Sequence, residues 1–355
     1  MLNWYLQSGK DSDIVTSTRV RIARNIKGNK FPKSSSKEER EKILNIIEEI
    51  TPKIGYGLKF LKLKDMDDLT KLALIEKHLI SPEFAVNHDE GAILINNDEN
   101  ICIMINEEDH IRIQVFSAGL ELESSLNLAI EIEKVIGGLV NYAYSDKYGY
   151  LTECPSNVGT GLRASVMVHL PALTATRNIN KVLEVANNFG MNIRGLYGEG
   201  SNTQGNMYQI SNKQTLGISE KEIINSINLI TNKIIEQERT ARKYLAKKSI
   251  ELEDKLYREY GILTNCRKIS SEEAKRLISD VRLGTDLGII KEMTDLKVNK
   301  LDLYTKPANL QIHLGQELDE AQRDIARAEV IKKIISEQWR SLYKLTMKES
   351  DKYVL

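Results

Sequence analysis

The 355-residue chain has few cysteines, no long apolar run and no excess of either charge. Its three cysteines, Cys102, Cys154 and Cys266, lie far apart and form no CxxC pair, which argues against a disulfide framework and against a zinc site. We therefore expect a reducing compartment, the cytoplasm. No segment is apolar enough to span a bilayer, and residues 1–17 lack the apolar core of a signal peptide. The sequence thus predicts no association with a membrane.

The charges also exclude some functions. The 50 basic and 50 acidic side chains cancel, whereas a dedicated nucleic-acid binder normally has a basic excess. The basic stretch from Arg239 to Lys248 leaves DNA contact as an alternative, although such a stretch is usually a solvated helix face. A GxxxxGK[ST] phosphate loop and the HRD and DFG motifs of protein kinases are missing. Any nucleotide site must therefore be built differently.

The first two thirds of the chain alternate between helical and strand patterns. Apolar spacing predicts helices over 38–50, 66–79, 120–139 and 173–189. Short apolar runs predict strands over 92–95, 101–105, 111–116, 164–170 and 207–210, with a hairpin turn at 96–98. Several strands follow one another without a helix between them. We therefore predict an α+β domain, residues 14–245, with helices flanking a largely antiparallel sheet.

The remaining third reads as helix throughout. Ser219 and Glu222 have the spacing of a capping box that begins a long helix toward residue 260. Further helix starts are predicted at Ser271 and Thr285, and a long amphipathic helix over 317–342. We predict an all-helical C-terminal domain, residues 255–355.

The first of four polar clusters is Ser17-Thr18-Arg19-Val20-Arg21. On a strand, Arg19 and Arg21 point to one face, where they repel each other unless an anion lies between them. Arginine is the side chain best shaped to bind phosphate oxygens in a fork. Taken alone, this cluster is better explained by a solvated edge strand whose charges face water.

The second cluster, Asn106 to Arg112, places three consecutive carboxylates, Glu107, Glu108 and Asp109, after an apolar strand. Such crowding favours a cationic partner and raises the pKa of at least one carboxyl group. An acidic surface hairpin is the alternative.

The third cluster, Cys154 to Val166, contains Gly159-Thr160-Gly161, whose backbone N–H groups could approach an anion closely. Arg163 follows at the start of a strand, and a nearby arginine would favour the thiolate form of Cys154. The alternative is a plain glycine-rich turn. The fourth cluster, Arg194 to Ser201, has the glycines of a mobile lid or of an ordinary loop.

Together and in this order, the four clusters resemble the motifs of the phosphagen (guanidino) kinase family, which includes creatine and arginine kinases. The matching segments are STRVR at 17–21, NEEDHIR at 106–112, CPSNVGTGLRASV at 154–166 and RGxxGE at 194–199. The resemblance covers roughly residues 14–240. It implies a catalytic domain of the glutamine-synthetase-like type and phosphoryl transfer from ATP with Mg²⁺.

The resemblance also implies roles for individual residues. Glu108 would bind the substrate guanidinium and accept its proton, Glu199 would support the other side, and the Cys154 thiolate would contact the guanidinium. The arginines would hold the nucleotide's phosphates, with His78 near the nucleotide. The implied nucleotide-binding set is Ser17, Thr18, Arg19, Val20, Arg21, His78, Arg112, Arg163, Ala164, Ser165, Val166, Met167, Arg194, Gly195, Leu196, Tyr197, Gly198 and Glu199.

Two features of this chain differ from creatine and arginine kinases and indicate which branch of the family it resembles. Creatine and arginine kinases have a helical domain before the first motif, whereas only sixteen residues precede Ser17 here, so we expect a site open to a larger ligand. Their lid has an arginine and a histidine where this chain has Tyr197 and Gly200. Both features, with the helical C-terminal domain, resemble the bacterial members of the family that phosphorylate arginine side chains in proteins.

The tail supports that comparison. The segment Arg323-Asp324-Ile325-Ala326-Arg327-Ala328 resembles an RDxxRA motif of those members, where it binds phosphoarginine and activates the enzyme allosterically. On a helix Arg323 and Arg327 lie one turn apart, as a phosphate fork requires. A salt-bridged helix surface is the alternative.

The implied function is phosphorylation of arginine side chains, which marks proteins for Clp-protease degradation in the stress response and in quality control. The implied partners are protein substrates, an activator protein, the Clp ATPase machinery and a second copy of the chain in a homodimer. The alternatives are a kinase for free arginine or another small guanidine, and a catalytically inactive regulatory adaptor.

Overall fold

The computed structural model describes residues 3–87, 90–195, 204–247 and 249–336. The chain divides into two compact units, Met1–Ala241 and Arg242–Leu355. In the described residues, no helix has the length and apolar character needed to cross a membrane.

The first unit is built on an eight-stranded sheet in which every neighbouring pair is antiparallel. Its order is β2-β3-β4-β5-β1-β8-β10-β9, and β6 and β7 form a separate hairpin. The strands are β1 (Val15–Arg24), β2 (Lys59–Lys62), β3 (Ala92–Ile95), β4 (Ile101–Ile105), β5 (Ile111–Ala118), β6 (Tyr144–Ser145), β7 (Gly149–Tyr150), β8 (Leu162–His169), β9 (Met191–Gly195) and β10 (Met207–Asn212).

Among the described residues, seven α-helices accompany the sheet. They are α1 (Lys37–Ile54), α2 (Asp68–Glu76), α3 (Pro82–Asn87), α4 (Leu122–Gly137), α5 (Pro171–Ala175), α6 (Ile179–Asn188) and α7 (Glu220–Ala246). A capping box of Ser36 and Glu39 begins α1, which presents apolar residues such as Ile43 and Ile47 to the core. The predicted capping box of Ser219 and Glu222 is also present, with the Glu222 N–H donating to Ser219 Oγ at 3.3 Å.

The second unit is helical in its described part. After the end of α7 it contains α8 (Ser249–Asn265), α9 (Ser271–Asp286), α10 (Asp295–Tyr304), α11 (Pro307–Leu314) and α12 (Glu320–Ile335). Their apolar faces form one buried core that includes Leu256, Leu277, Leu301 and Ile331. The predicted α+β class, with an antiparallel sheet and a helical C-terminal region, is confirmed.

Several element boundaries differ from the prediction. The helix predicted over 173–189 is two helices, because Arg177 adopts a left-handed conformation (φ 58°) between them. The helix predicted from 219 toward 260 is also two, α7 and α8.

Two predicted caps are wrong as well. Ser270, not Ser271, caps α9 by accepting the N–H of Glu273. Thr285 lies in the last turn of α9, and the next helix begins after the cap Thr294.

Candidate active site

The arginines of the sequence motifs lie on adjacent central strands, where the ladder register brings them to one face. Arg21 on β1 is directly opposite Arg163 on β8. Opposed residues of antiparallel strands face the same side, with Cβ atoms about 5 Å apart. Since side chains alternate along a strand, Arg19 shares this face with Arg21.

The neighbouring strands extend the basic face. Arg112 on β5 is opposite Ala23, the next β1 residue on this face after Arg21. Arg194 on β9 is opposite Gln209, which is opposite Met167, which is in turn opposite Ser17. The register therefore brings all five predicted arginines to one face of the sheet.

The same alternation divides the other predicted nucleotide-binding residues. Ser17, Ser165 and Met167 lie on the arginine face. Their neighbours Thr18, Val20, Ala164 and Val166 are fully buried on the opposite face, so only their backbone can border the site. Gly195 ends β9, and Leu196, Tyr197, Gly198 and Glu199 lie outside the described residues.

The arginines affect one another electrostatically. Burial, followed by the charges of Arg112 and Arg163, lowers the pKa of Arg19 to about 10. Burial and three neighbouring arginines lower the pKa of Arg21 well below its ordinary value, with Glu107 as the opposing charge. Because a guanidinium stays protonated in proteins, these shifts indicate incompletely neutralised positive charge.

Two nitrogens of this cluster have no hydrogen-bond partner in the described part of the chain. The Nε atoms of Arg21 and Arg163 are buried, and neither finds an acceptor among the described residues. A buried donor without an acceptor costs free energy. An anion with several acceptor oxygens, such as a polyphosphate, would satisfy both atoms and neutralise the charge.

Arg112 differs from its neighbours because it already has carboxylate partners. Its Nη1 lies 2.6 Å from Glu107 Oε2 and its Nη2 lies 2.5 Å from Glu108 Oε2. Glu107 also accepts from Ser81 Oγ and from the backbone N–H of Glu108. Arg112 therefore links the arginine cluster to the acidic cluster and orients Glu108.

A cavity of about 200 Å³ lies where the clusters meet. It contains the proposed base Glu108 and the thiol of Cys154, which lies 3.0 Å from Ser156 Oγ. The lining residues are Arg21, Ala23, Glu108, Arg112, Cys154, Ser156, Asn157, Gly161 and Arg163. The Glu108 carboxylate and the Cys154 sulfur can contact a guanidinium here, directly beside arginines that can bind phosphate.

Asp109 fixes the relative position of two of these motifs. Its buried Oδ1 accepts from Asn25 Nδ2 at 2.7 Å and from the backbone N–H of Glu153 at 2.8 Å. Glu153 precedes Cys154, so Asp109 ties the acidic turn to the cysteine loop. Burial raises the pKa of Asp109. A raised carboxyl pKa is confirmed in this cluster, although its main cause is burial and not crowding.

The glycines between Cys154 and Arg163 serve close backbone packing. Gly159 has φ 109°, and a Cβ atom there would lie 2.4 Å from the carbonyl oxygen of Thr215. The N–H groups of Gly159 and Thr160 donate to Tyr150 O and Thr215 O. These two N–H groups are therefore bonded within the protein. The expectation that they could bind an anion is wrong for both of them.

A second cavity lies on the same face near the start of β1. It is lined by Trp4, Ser17, Arg19, His78, Phe116, Ser165, Met167 and Gln209. His78, predicted to lie near the nucleotide, follows α2 in a left-handed conformation (φ 63°). The sequence reasoning did not find Trp4, Phe116 or Gln209. Alternation along their strands is a sequence signal for Phe116 and Gln209, whereas Trp4 has none.

Two other basic features serve the fold. Arg24 pairs with Glu133 at 2.9 Å and lies 3.3 Å from the ring centre of Tyr150. In the stretch considered for DNA contact, Arg239 is bonded to Asp11 and Asp13, and Arg242 is bonded to Asp286. These cations already have acidic partners, which does not favour a DNA contact.

The arginines of the tail motif lie on α12. Arg327 is 1% exposed, and it donates to Thr305 O, Ile269 O and Asp324 Oδ1. Arg323 is half-buried and donates to Leu318 O at 2.8 Å. Of the other motif residues, Ala328 is in the core and Ile325 is exposed.

Comparison with known proteins agrees with this geometry. Residues 39–241 match the model of the ATP:guanido phosphotransferase C-terminal catalytic domain, and residues 249–347 match that of the protein-arginine kinase McsB C-terminal domain. A protein-arginine kinase of Geobacillus kaustophilus is 48% identical over 334 residues, which are 93% of this chain and 92% of that protein.

Two solved structures share the fold. The duplicated taurocyamine kinase of Schistosoma mansoni, with bound transition-state-analogue components, matches 66% of this chain with a TM-score of 0.59 and 30% identity. This chain spans only 34% of that enzyme's length. A lombricine kinase matches 66% of this chain and 68% of its own, with a TM-score of 0.56 and 28% identity.

The arginine-lined face, the carboxylates and thiol beside it, and a match to the catalytic-domain model over more than half of the chain agree with one another. The chain belongs to the ATP:guanido phosphotransferase family, the ATP-dependent kinases of guanidino groups.

Proposed function

We propose that this chain is a protein-arginine kinase, which transfers the γ-phosphoryl group of ATP to arginine side chains of proteins. The curated relatives at 44–48% identity, which it matches over 93% of its length, bear that name. The observation that carries the chemistry is the single cavity in which Glu108 and Cys154 adjoin Arg21, Arg112 and Arg163.

The reaction needs a nucleophilic guanidino nitrogen. A guanidinium is protonated and not nucleophilic, so Glu108 binds it and accepts one proton as the nitrogen attacks the γ-phosphorus. An N–P bond forms, the bond from the γ-phosphorus to the bridging oxygen breaks, and ADP leaves. The Cys154 thiolate and Glu199 would contribute negative charge around the guanidinium.

The phosphate chain of ATP fits the arginine face. Arg19, Arg21, Arg163 and Arg194 would bind its oxygens, and the unpartnered Nε atoms of Arg21 and Arg163 supply donors for them. Mg²⁺ bound with the nucleotide would neutralise charge that develops on the transferred group. Holding both reactants in line converts a bimolecular reaction into an effectively unimolecular one.

Glu108 must change partner during this cycle. In the structure its carboxylate is paired with Arg112. The substrate guanidinium offers the same fork of N–H donors, so it can take the place of Arg112 at Glu108. Arg112 keeps Glu107 as a partner and turns toward the phosphates.

The wider role is part of the same proposal. We place a catalytic domain at 14–245 and a phosphoarginine-binding C-terminal domain at 255–355, with Arg323 and Asp324 as the accessible part of the pocket. Phosphoarginine would activate the enzyme there. The product would mark proteins for Clp-dependent degradation in the cytoplasm under stress, with the enzyme acting as a homodimer and with an activator protein.

Mass spectrometry of a phosphorylated protein tests the proposal. The enzyme is incubated with ATP, Mg²⁺ and an arginine-rich protein, and in parallel with free arginine. We expect acid-labile phosphate on arginine side chains of the protein. Phosphate on free arginine alone would favour a small-guanidine kinase, the activity named for the two structural neighbours. No phosphoarginine in either sample would favour an inactive adaptor.

A further inference from the structure

The cavity near the start of β1 lies one step along the strand from the cavity that contains Glu108 and Cys154. Arg19 borders the first cavity and Arg21 borders the second. Successive same-face residues on a strand are about 7 Å apart. A molecule that extends along these arginines can therefore reach from one cavity into the other.

Trp4 forms part of the wall of the first cavity. It begins the 3-10 helix Trp4–Leu6, and its indole stacks on Phe116 with ring centres 5.2 Å apart and planes at 18°. Phe116 is directly opposite Arg19 in the β1–β5 register. The stacked rings therefore lie beside the first arginine of the cluster.

Core packing explains the stack but not the polar edge of the indole. Phe116 is 2% exposed and belongs to a core cluster against which Trp4 packs. However, the Nε1 atom of Trp4 is buried and has no hydrogen-bond partner among the described residues. Indole N–H groups usually find an acceptor when they are buried. An acceptor supplied by a ligand in the cavity would remove this cost.

We propose that Trp4 is a recognition residue for the nucleoside part of ATP. Its ring packs against the base, and its Nε1 donates to a ring nitrogen of the base or to an oxygen of the ribose. This inference rests on the proposed function for the identity of the ligand. It also fixes the direction of the nucleotide: the nucleoside lies at Trp4, Ser17 and Gln209, and the γ-phosphate lies at Arg21 and Glu108.

Fluorescence gives a direct test, because the chain has only two tryptophans, Trp4 and Trp339. In the Trp339→Phe variant all tryptophan emission comes from Trp4. We expect ADP with Mg²⁺ to change this emission saturably, whereas inorganic tripolyphosphate binds the arginines and changes it little. If the Trp4 emission does not change at ADP concentrations that saturate the enzyme, the inference is overturned.

Two substitutions separate recognition from folding. Trp4→Leu removes the ring, and we expect the Kd for ADP to rise about tenfold, as for the loss of a base–aromatic stack. Trp4→Phe keeps a ring without the N–H, and we expect a rise of about threefold. Both variants should bind tripolyphosphate like the parent enzyme.

Calorimetry of both ligands with both variants decides the outcome. Equal losses for ADP and tripolyphosphate would show that Trp4 acts only through the fold, and unchanged ADP affinity would show that it does not contact the nucleoside. Either result overturns the inference. Because only binding is measured, this outcome does not depend on whether proteins or small guanidines accept the phosphate.

Discussion

Two arginine pairs identified from the sequence motifs differ in what they contact. On the sheet, Arg21 and Arg163 are opposed across two strands, and their Nε atoms lack acceptors among the described residues. On α12, Arg327 donates to two backbone carbonyls and to Asp324, and Arg323 donates to Leu318 O.

The difference separates two uses of a buried guanidinium. Cations that face one another without acceptors are unfavourable in the free protein, and an anionic ligand relieves the cost. A cation bonded to backbone carbonyls of other segments instead fixes those segments in place. The partners of an arginine, and not its presence in a motif, therefore decide whether it is available to a ligand.

The largest expected effect tests the chemistry beside the sheet arginines. We expect Glu108→Gln to lower kcat about 1000-fold, because the general base is lost. The affinity for ADP should change little, since Arg19, Arg21 and Arg163 remain. Initial rates and ADP binding by calorimetry measure both quantities. The control is Glu49→Gln, on the exposed face of α1. Near-normal turnover by Glu108→Gln would show that Glu108 is not the base.

The next largest effect is expected for the buried, hydrogen-bonded arginine of α12. We expect Arg327→Met to lower the free energy of unfolding by about 3 kcal/mol, because Asp324 and two buried carbonyls lose their donor. Arg323→Met, which removes one partly exposed hydrogen bond, should cost less than about 1 kcal/mol. Urea denaturation of both variants measures the difference. Similar stability of the two variants would contradict the structural role of Arg327.

For an arginine of the sheet, we expect substitution to change the free energy of unfolding in the opposite direction. Arg21→Met should raise the free energy of unfolding of the nucleotide-free enzyme by about 1 kcal/mol, because a poorly compensated cation is replaced by an apolar side chain of similar length. The same change should weaken ADP binding at least tenfold, as expected for loss of a charge-assisted phosphate contact.

Thermal unfolding with and without ADP measures both consequences of Arg21→Met. Arg258→Met is the control, because Arg258 has an exposed side chain paired only locally with Asp254, and its loss should change neither quantity. Destabilisation of the nucleotide-free enzyme by Arg21→Met would mean that the sheet arginines are as well satisfied as Arg327.

The smallest effect concerns pH and a neighbour of the acidic cluster. His110 Nδ1 accepts the N–H of Ile26, so Nε2 carries the proton and donates to Lys30 O. Burial lowers the pKa of His110 below its ordinary 6.5. The unfolded chain therefore binds a proton that the folded chain excludes. The stability that neutral His110 contributes to the fold is present above pH 6.5 and is lost as the pH falls below that value.

The non-titrating variant His110→Asn isolates that contribution. The Asn Oδ1 atom can accept the same backbone N–H as the imidazole Nδ1. We expect the free energy of unfolding of the parent protein to fall more steeply than that of the variant as pH drops from 7 to about 5.5. Parallel pH profiles would show that His110 is not held neutral by the fold.

The central parts of the fold were predictable because they follow local rules. β3 and β4 have the predicted bounds, since continuous apolar runs specify buried strands. β2 and β9 were missed. Both are edge strands with partly exposed residues, so neither has the apolar run that identifies a central strand.

The site shows the same limit. The motifs identified Arg19, Arg21, Glu108, Arg112, Cys154, Arg163 and Arg194 one by one, and their family resemblance grouped them. The link from Asp109 to the cysteine loop and the place of Trp4 had no sequence signal. Each depends on contacts between segments far apart in the chain.

The sequence by itself determined which chemical groups are present and, through alternation along β1, that Arg19 and Arg21 share a face. Only the tertiary structure decided which arginines are free to bind a ligand. Strand register, which places Arg163 opposite Arg21, and helix packing, which brings Thr305 and Ile269 carbonyls to Arg327, are set by the whole core. The physical reason is that a guanidinium's free energy depends on the acceptors and charges around it, and distant segments supply these.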